Sequence, residues 1–240
     1  MAGIAERGAD AVGYAYRGPG EAVSVHKQRS GASAVLDRIA VPQGATEVLI
    51  HVRDYTKGHP TVAANNHPIR HGAVVGIHNG IIFNDDELLG EHDCARREPG
   101  MTVDSEAIFA VAAHSCGDAE ALEALRGSMA TAWIDERREQ SILIARGTGR
   151  PLWLGAGASG TFFASTKLAL EVVERYLELE LKKRALDEGT LVELRRGREK
   201  TSTRFNPNRE FEETPLPAVR APNEAAFCLR RLATLVAAAH

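Results

Sequence analysis

A few polar residues at predicted strand ends are the part of this sequence that is best placed to do chemistry. In chain order they are Arg53 and Thr56, His67, Asn79 and Gly80, and Asp104. Polar groups at the ends of rigid elements are held in fixed positions, which is what a ligand site requires. The set therefore predicts a ligand site built from a cation, a carboxylate, an imidazole and an amide.

Each of these residues also has a structural explanation when it is taken alone. Arg53 could form a surface ion pair, Asn79 and Gly80 could form a turn, and Asp104 could cap the helix that follows it. The occurrence of all of them in this order favours the ligand site over the separate explanations.

Three other patterns have weaker claims to function. The segment 155–160 spells a dinucleotide fingerprint, but a strand follows it where a helix is required, so it predicts a hairpin turn. Five of the nine histidines lie between residues 51 and 78, without the spacing of a metal site. Cys94 lies in a loop of acidic and basic residues, and a catalytic role for it is the weaker alternative.

The composition is that of an ordinary globular protein, with 44% hydrophobic and 25% charged residues. A net charge of −3 gives no reason to expect nucleic acid or an anionic membrane as a partner. Three cysteines without metal-ligand spacing indicate a reducing, cytoplasmic compartment. The first residues read as the end of a helix and carry no secretory signal, so we expect a segment to be missing upstream.

The order of predicted elements is mixed, as in an α+β protein. Strands are predicted at 11–16, 21–26, 46–52, 74–82, 128–135, 140–145, 161–165 and 190–194. Helices are predicted at 32–39, after Asp104, at 118–125 and at 167–184. Hairpins and clustered helices together favour stacked sheets covered by helices.

The composition changes near residue 197. Residues 198–240 are predicted to be a polar linker followed by a helix at 223–239. That helix either docks on the rest of the chain or binds a partner, and the sequence leaves both open.

The ordered signatures resemble the glutaminase domain of class II glutamine amidotransferases, as in glucosamine-6-phosphate synthase and amidophosphoribosyltransferase. The resemblance begins with Arg-Gly-x-Asp-x-x-Gly at residues 7–13, passes through the polar groups above, and ends near residue 189. It covers residues 1–197, which we predict to be one domain. It implies the four-layer αββα sandwich of the N-terminal nucleophile hydrolases, with the first strand missing here.

The resemblance also implies a role for each residue of the set. Glutamine would be the ligand, with Arg53 on its α-carboxylate, Asp104 on its α-ammonium, and Thr56 completing the carboxylate pocket. Asn79 and Gly80 would form the oxyanion hole. His67 matches a histidine of the family, and we count it as substrate-binding. No cofactor and no metal are implied.

The family's nucleophile has no counterpart in this sequence. It is an N-terminal cysteine whose own α-amine acts as base, about twenty residues before the segment that begins here at Arg7. Three interpretations remain open: a truncated record of an active enzyme, a catalytically silent relative that binds glutamine or a partner, or an unrelated hydrolase or binding module. Either a separate synthase subunit would accept the ammonia, or the protein would be a stand-alone glutaminase.

Overall fold

Two stacked layers of β-sheet form the centre of the computed structural model, which describes residues 1–214, 217 and 219–239. The strands are β1 Ala11–Arg17, β2 Ser24–Gln28, β3 Glu47–Arg53, β4 Ile69–His71, β5 Val74–Ile82, β6 Gly127–Asp135, β7 Ser141–Arg146, β8 Trp153–Ala156, β9 Thr161–Ala164, β10 Lys182–Ala185, β11 Thr190–Arg195 and β12 Arg198–Arg204. One layer is a six-stranded antiparallel sheet in the order β12-β11-β7-β6-β5-β4. The other consists of two separate three-stranded sheets, β2-β1-β3 and β10-β8-β9.

Helices cover the outer faces of both layers. The α-helices are α1 Asp85–Glu91, α2 Ser105–His114, α3 Lys167–Leu177 and α4 Pro222–Ala239. Short 3-10 helices lie at Ala2–Arg7, Ala32–Ala34, Leu36–Arg38, Ala63–Asn65 and Glu120–Ala124. Helices α1 and α2 pack on the six-stranded sheet, and α3 packs on β9 and β10. The predicted four-layer αββα sandwich is therefore confirmed.

Three hydrophobic cores correspond to the three interfaces between these layers. Phe109 of α2 packs with Trp133 of β6 in the outer core of the large sheet. Leu49 of β3 and Ile144 of β7 belong to the core between the two sheet layers. The third core joins the outer face of β1 to α4 through residues such as Cys228. Strand alternation thus sends one face of β3 and of β5 into the space between the layers.

The strands at 74–82 and 128–135 are confirmed, whereas three predicted helices differ from the structure. The helix from Lys167 ends at Leu177 because Glu178 adopts a left-handed conformation, with φ 50°. Residues 182–185, which we predicted to be helical, instead pair with β8. The predicted helices at 32–39 and 118–125 are 3-10 helices, which suits such short segments.

The segment after residue 197 is not all linker. Arg198–Arg204 forms β12, which pairs with β11, and Phe205 is buried. The prediction of a linker from residue 198 is therefore wrong for these residues, because β12 completes a hairpin that begins inside the predicted domain. The domain division as such stays a prediction.

Helix α4 docks on the rest of the chain. Its Cys228 is fully buried against the outer face of the small sheet. The Glu224 carboxylate accepts hydrogen bonds from the backbone N–H and the hydroxyl of Ser33, both at 2.9 Å. Docking is thus the alternative that the structure supports. Among the described residues, no helix is both long enough and apolar enough to cross a membrane.

The glycine-rich segment at 155–160 is a hairpin turn, as predicted. Gly155 pairs with Phe162 and Ala156 pairs with Thr161 across β8 and β9. No helix N-terminus follows the glycines, so the segment has no place for a dinucleotide pyrophosphate.

Candidate functional site

A cavity of about 210 Å³ opens where β3, β5 and the start of α2 meet. All six residues that the sequence predicted as a set line it, namely Arg53, Thr56, His67, Asn79, Gly80 and Asp104. They come from two sheets and three loops, so the fold is what brings them together. Their individual roles stay predictions at this point.

Arg53 is a buried cation and not part of a surface ion pair, since only 4% of the residue is exposed. Its guanidinium donates to Asn66 Oδ1 at 2.7 Å and to the carbonyl oxygens of Lys57 at 2.8 Å and Gly58 at 2.7 Å. A guanidinium has five N–H groups. Three of them hold the side chain in place, and the other two have no hydrogen-bond partner among the described residues.

Asp104 begins α2 but does not cap it with its side chain. One carboxylate oxygen accepts a hydrogen bond from Ile82 N–H at 2.7 Å. Burial raises the pKa of Asp104 to about 6, because the charged form is poorly solvated there. A carboxylate in this position is stabilised by any cation that enters the cavity.

Asn79 and Gly80 lie inside β5 and do not form a turn. The side-chain nitrogen of Asn79 is buried and has no hydrogen-bond partner among the described residues. Gly80 has φ +143°, and a Cβ at this position would lie 1.9 Å from the carbonyl oxygen of Ser128. Only glycine allows β5 and β6 to approach so closely here.

A pair of neighbouring imidazoles forms another wall of the cavity. The ring centroids of His51 and His67 lie 4.3 Å apart with the rings tilted by 30°, and His67 is buried while His51 is half-buried. His51 donates from Nε2 to the carbonyl oxygen of His78 at 2.9 Å, which leaves its Nδ1 without a partner. Neither ring nitrogen of His67 has a partner among the described residues. Burial lowers the pKa of both histidines, so both are neutral near pH 7.

His78 also lines the cavity, and both of its ring nitrogens are held by hydrogen bonds. Its Nε2 donates to the carbonyl oxygen of Ser128 at 3.1 Å, so its Nδ1 accepts from the Ser105 hydroxyl at 2.9 Å. Burial lowers the pKa of His78 to about 4. Because His78 precedes Asn79, this fixed ring also fixes the strand that presents the Asn79 amide.

Sequence reasoning did not single out His51 as a member of this site. The signal was present, because His51 lies two residues before Arg53 and side chains two apart face the same side of a strand. It also missed Arg150, Pro217 and Arg220, which line the cavity from distant parts of the chain. No short motif marks Pro217 or Arg220.

The chain's three cysteines lie elsewhere. Cys94, Cys116 and Cys228 are all described, and none lines the cavity. In the described part of the chain, no three histidine, cysteine, aspartate or glutamate residues are arranged to hold a metal ion.

Comparisons with known proteins identify the family of the chain and its fold. Residues 51–172, just over half of the chain, match the family described as glutamine amidotransferase domain. Over 161 residues the chain is 35% identical to glutamine–fructose-6-phosphate aminotransferase (isomerizing) from Salmonella typhi, and 34% identical to the same enzyme from Escherichia coli strain K12. Each match covers 62% of this chain and 24% of the relative, so the chain spans about a quarter of the relatives' length.

Solved structures show the same fold. Glutamine phosphoribosylpyrophosphate amidotransferase from B. subtilis superposes with a TM-score of 0.64 at 18% identity, covering 84% of this chain and 44% of that one. A glutamine aminotransferase class-II domain protein from Silicibacter pomeroyi gives a TM-score of 0.54 at 15% identity, covering 82% of this chain and 92% of that one. Together with the match over residues 51–172, these findings show that the chain belongs to the glutamine amidotransferase domain family.

Proposed function

We propose that the cavity binds free glutamine. The observation that carries this proposal is the convergence of Arg53, Asp104 and Asn79 on one small cavity. Glutamine has an anionic carboxylate, a cationic ammonium and a neutral amide. The three residues offer one complementary group for each of these.

The roles follow from the contacts of each residue. Arg53 attracts the α-carboxylate through its two remaining N–H groups, while its other three bonds prevent it from turning away. Asp104 pairs with the α-ammonium, which also compensates a buried charge. Thr56 lines the carboxylate side, and His67 is our third substrate-binding candidate.

Asn79 and Gly80 supply the oxyanion hole in this proposal. Attack on the amide carbon places negative charge on its oxygen, and the Asn79 amide donates to it together with the Gly80 N–H. The Asn79 side-chain nitrogen is buried and has no hydrogen-bond partner among the described residues, as expected of a donor whose acceptor is a bound ligand.

Hydrolysis needs a nucleophile at the amide carbon, which in the resembled enzymes is a cysteine thiolate, and the three cysteines of this chain lie away from the cavity. We therefore propose that the chain as given binds glutamine without turnover. With a cysteine segment joined upstream it would release ammonia from the amide for a synthase, and a separate subunit is our candidate acceptor. The alternative is a catalytically silent relative that binds glutamine or a partner. The positions of the three cysteines agree with this alternative as well as with the need for an upstream cysteine.

Calorimetric titration with L-glutamine tests the binding. We expect saturable binding to the unaltered protein and a loss of at least about tenfold in affinity for Arg53→Ala, because a buried charge-assisted contact is removed. Equal affinity in the two proteins would refute the assignment. Since Arg53 also holds the 57–58 loop, the unfolding midpoint of the variant is measured alongside.

An ammonia assay separates binding from catalysis. We expect no ammonia release from glutamine by the chain as given. Clear turnover that is abolished by Cys94→Ser would contradict our account of the nucleophile.

A further inference from the structure

Four described residues beyond β12, Phe211, Glu213, Pro217 and Arg220, contact the rest of the domain at or near the cavity, and we call them the strap. The Phe211 ring stacks on Phe83 at 5.7 Å, and Pro217 and Arg220 line the cavity. The strap therefore belongs to the wall of the site, although it is far from β3 and β5 in sequence.

The end of the strap is fixed to the domain. The backbone N–H groups of Arg220 and Ala221 donate to the carbonyl oxygen of Glu6 at 2.8 and 2.9 Å. Helix α4 begins at the next residue and is docked through Cys228. Arg220 is therefore held in place by its backbone as well as by its side chain.

Two ion pairs connect the strap to residues that line the cavity. Glu213 pairs with Arg150, and Arg220 pairs with Asp54. Arg150 and Asp54 are themselves lining residues. The cavity of about 210 Å³ remains with the strap in place, so the strap forms a wall and does not fill the site.

Asp54 is an unfavourable neighbour for a site that attracts a carboxylate. It follows Arg53 directly, both residues line the cavity, and its negative charge acts on the Arg53 guanidinium together with the larger contributions of Asp104 and Asp10. Its side chain is only 22% exposed, so water screens it incompletely. The Arg220 guanidinium is the cation that pairs with it.

We propose that Arg220 is a positioning residue for glutamine, acting through Asp54: by neutralising Asp54 it leaves Arg53 free to attract the α-carboxylate. The inference rests on the proposed function and deepens it. It predicts that the contribution of Arg220 depends on the ligand's carboxylate and disappears when Asp54 has no charge.

Titrations with two ligands test this. L-glutamine carries the α-carboxylate, whereas L-glutaminol has a hydroxymethyl group in its place. We expect Arg220→Ala to weaken glutamine binding about tenfold and glutaminol binding less than about twofold. Arg220→Lys retains the charge and keeps most of the affinity for glutamine. In Asp54→Asn/Arg220→Ala, the affinity for glutamine recovers because the uncompensated anion is gone.

Arg231→Ala is the matched control. It removes another ion pair between the tail and the domain, with Asp37, at a distance from the cavity. We expect it to change neither affinity.

Each contrary result has a distinct meaning. Unchanged glutamine affinity in Arg220→Ala, or equal losses for glutamine and glutaminol, would overturn the positioning role while the proposed function stands. Failure of the double variant to recover would overturn it as well. Absence of glutamine binding by the unaltered protein would refute the proposed function, and this inference with it.

Discussion

His71 and His67 lie four residues apart and are almost equally buried, yet their surroundings differ. His71 donates from Nδ1 to the Glu106 carboxylate at 3.2 Å, behind the large sheet. His67 lies on the cavity side, and neither of its ring nitrogens has a partner among the described residues. His71 therefore takes part in the hydrogen bonding within the fold, whereas the ring nitrogens of His67 remain available to a ligand.

The two buried carboxylates show the same contrast. Burial alone would raise the pKa of Glu106, but hydrogen bonds from His71 and from the Arg97 backbone N–H more than offset it, so its pKa is lowered. Asp104 accepts one backbone bond from Ile82, and burial raises its pKa to about 6. A buried group that lacks sufficient partners costs stability, and proteins retain such groups where a ligand supplies the missing contact.

Gly80→Ala should destabilise the protein more than the other substitutions below. Strand β5 lies between the His71–Glu106 pair and the cavity, so a distortion of β5 affects both regions. Its new Cβ would meet the Ser128 carbonyl at 1.9 Å on a backbone with φ +143°. We expect a loss of about 4 kcal/mol or more in unfolding free energy, measured by urea denaturation. Gly90→Ala is the control: nothing lies within 4 Å and the position is helical, so stability should be unchanged or rise by about 1 kcal/mol.

Glu106→Ala should cost about 3 kcal/mol, since it leaves the buried His71 and the partly buried N–H of Arg97 without their acceptor. Glu106→Gln preserves the shape and should cost less. Urea denaturation at pH 7 measures both. A loss below about 1 kcal/mol for the alanine variant would contradict the structural role of this region.

Glutamine affinity should depend on the ionisation of Asp104. The carboxyl group must lose its proton to attract the ammonium, and its pKa is about 6, whereas those of His51 and His78 are lower still. We expect affinity to be highest near pH 7.5 and about tenfold weaker near pH 5. Calorimetry across this range should show no such change for Asp104→Asn; an equally steep profile in that variant would assign the titration to another group.

His67→Leu should have the smallest effect on stability, although it affects the candidate site. Because the ring makes no hydrogen bond to described residues, we expect a change within about 1 kcal/mol, of either sign. His71→Leu is the matched control and should cost about 2 kcal/mol, since it removes the partner of Glu106. Similar losses in the two variants would remove the distinction between the regions.

The sequence predicted the elements that carry the site better than those that enclose it. The strand at Val74–Ile82 is rich in valine and isoleucine, and the helix after Asp104 begins with an acidic first turn followed by an apolar set, so their residues could be placed. The end of α3 depends on one left-handed residue, Glu178, which no periodicity reveals. The exposed strand β12 is polar and therefore resembles a linker in sequence, although it pairs with β11.

The same limit applies to the site. Arg53 and Asn79 belong to local signatures that sequence reasoning can recognise. Arg220 is 167 positions from Arg53 in the chain, and only the docking of α4 and the strap brings it to the cavity. Whether a buried group has a partner, the property that distinguishes His67 from His71, depends on long-range packing and cannot be read from local spacing.

The central claim is that bound glutamine contacts the side-chain nitrogens of Asn79 and His67, which have no hydrogen-bond partner among the described residues. Titration of glutamine into protein labelled with ¹⁵N in asparagine and histidine side chains tests it most directly by NMR. We predict saturable shifts of the Asn79 side-chain amide and the His67 ring nitrogens, with His71 unmoved. Saturable binding that leaves Asn79 and His67 unshifted, or shifts His71 as much, would contradict the account.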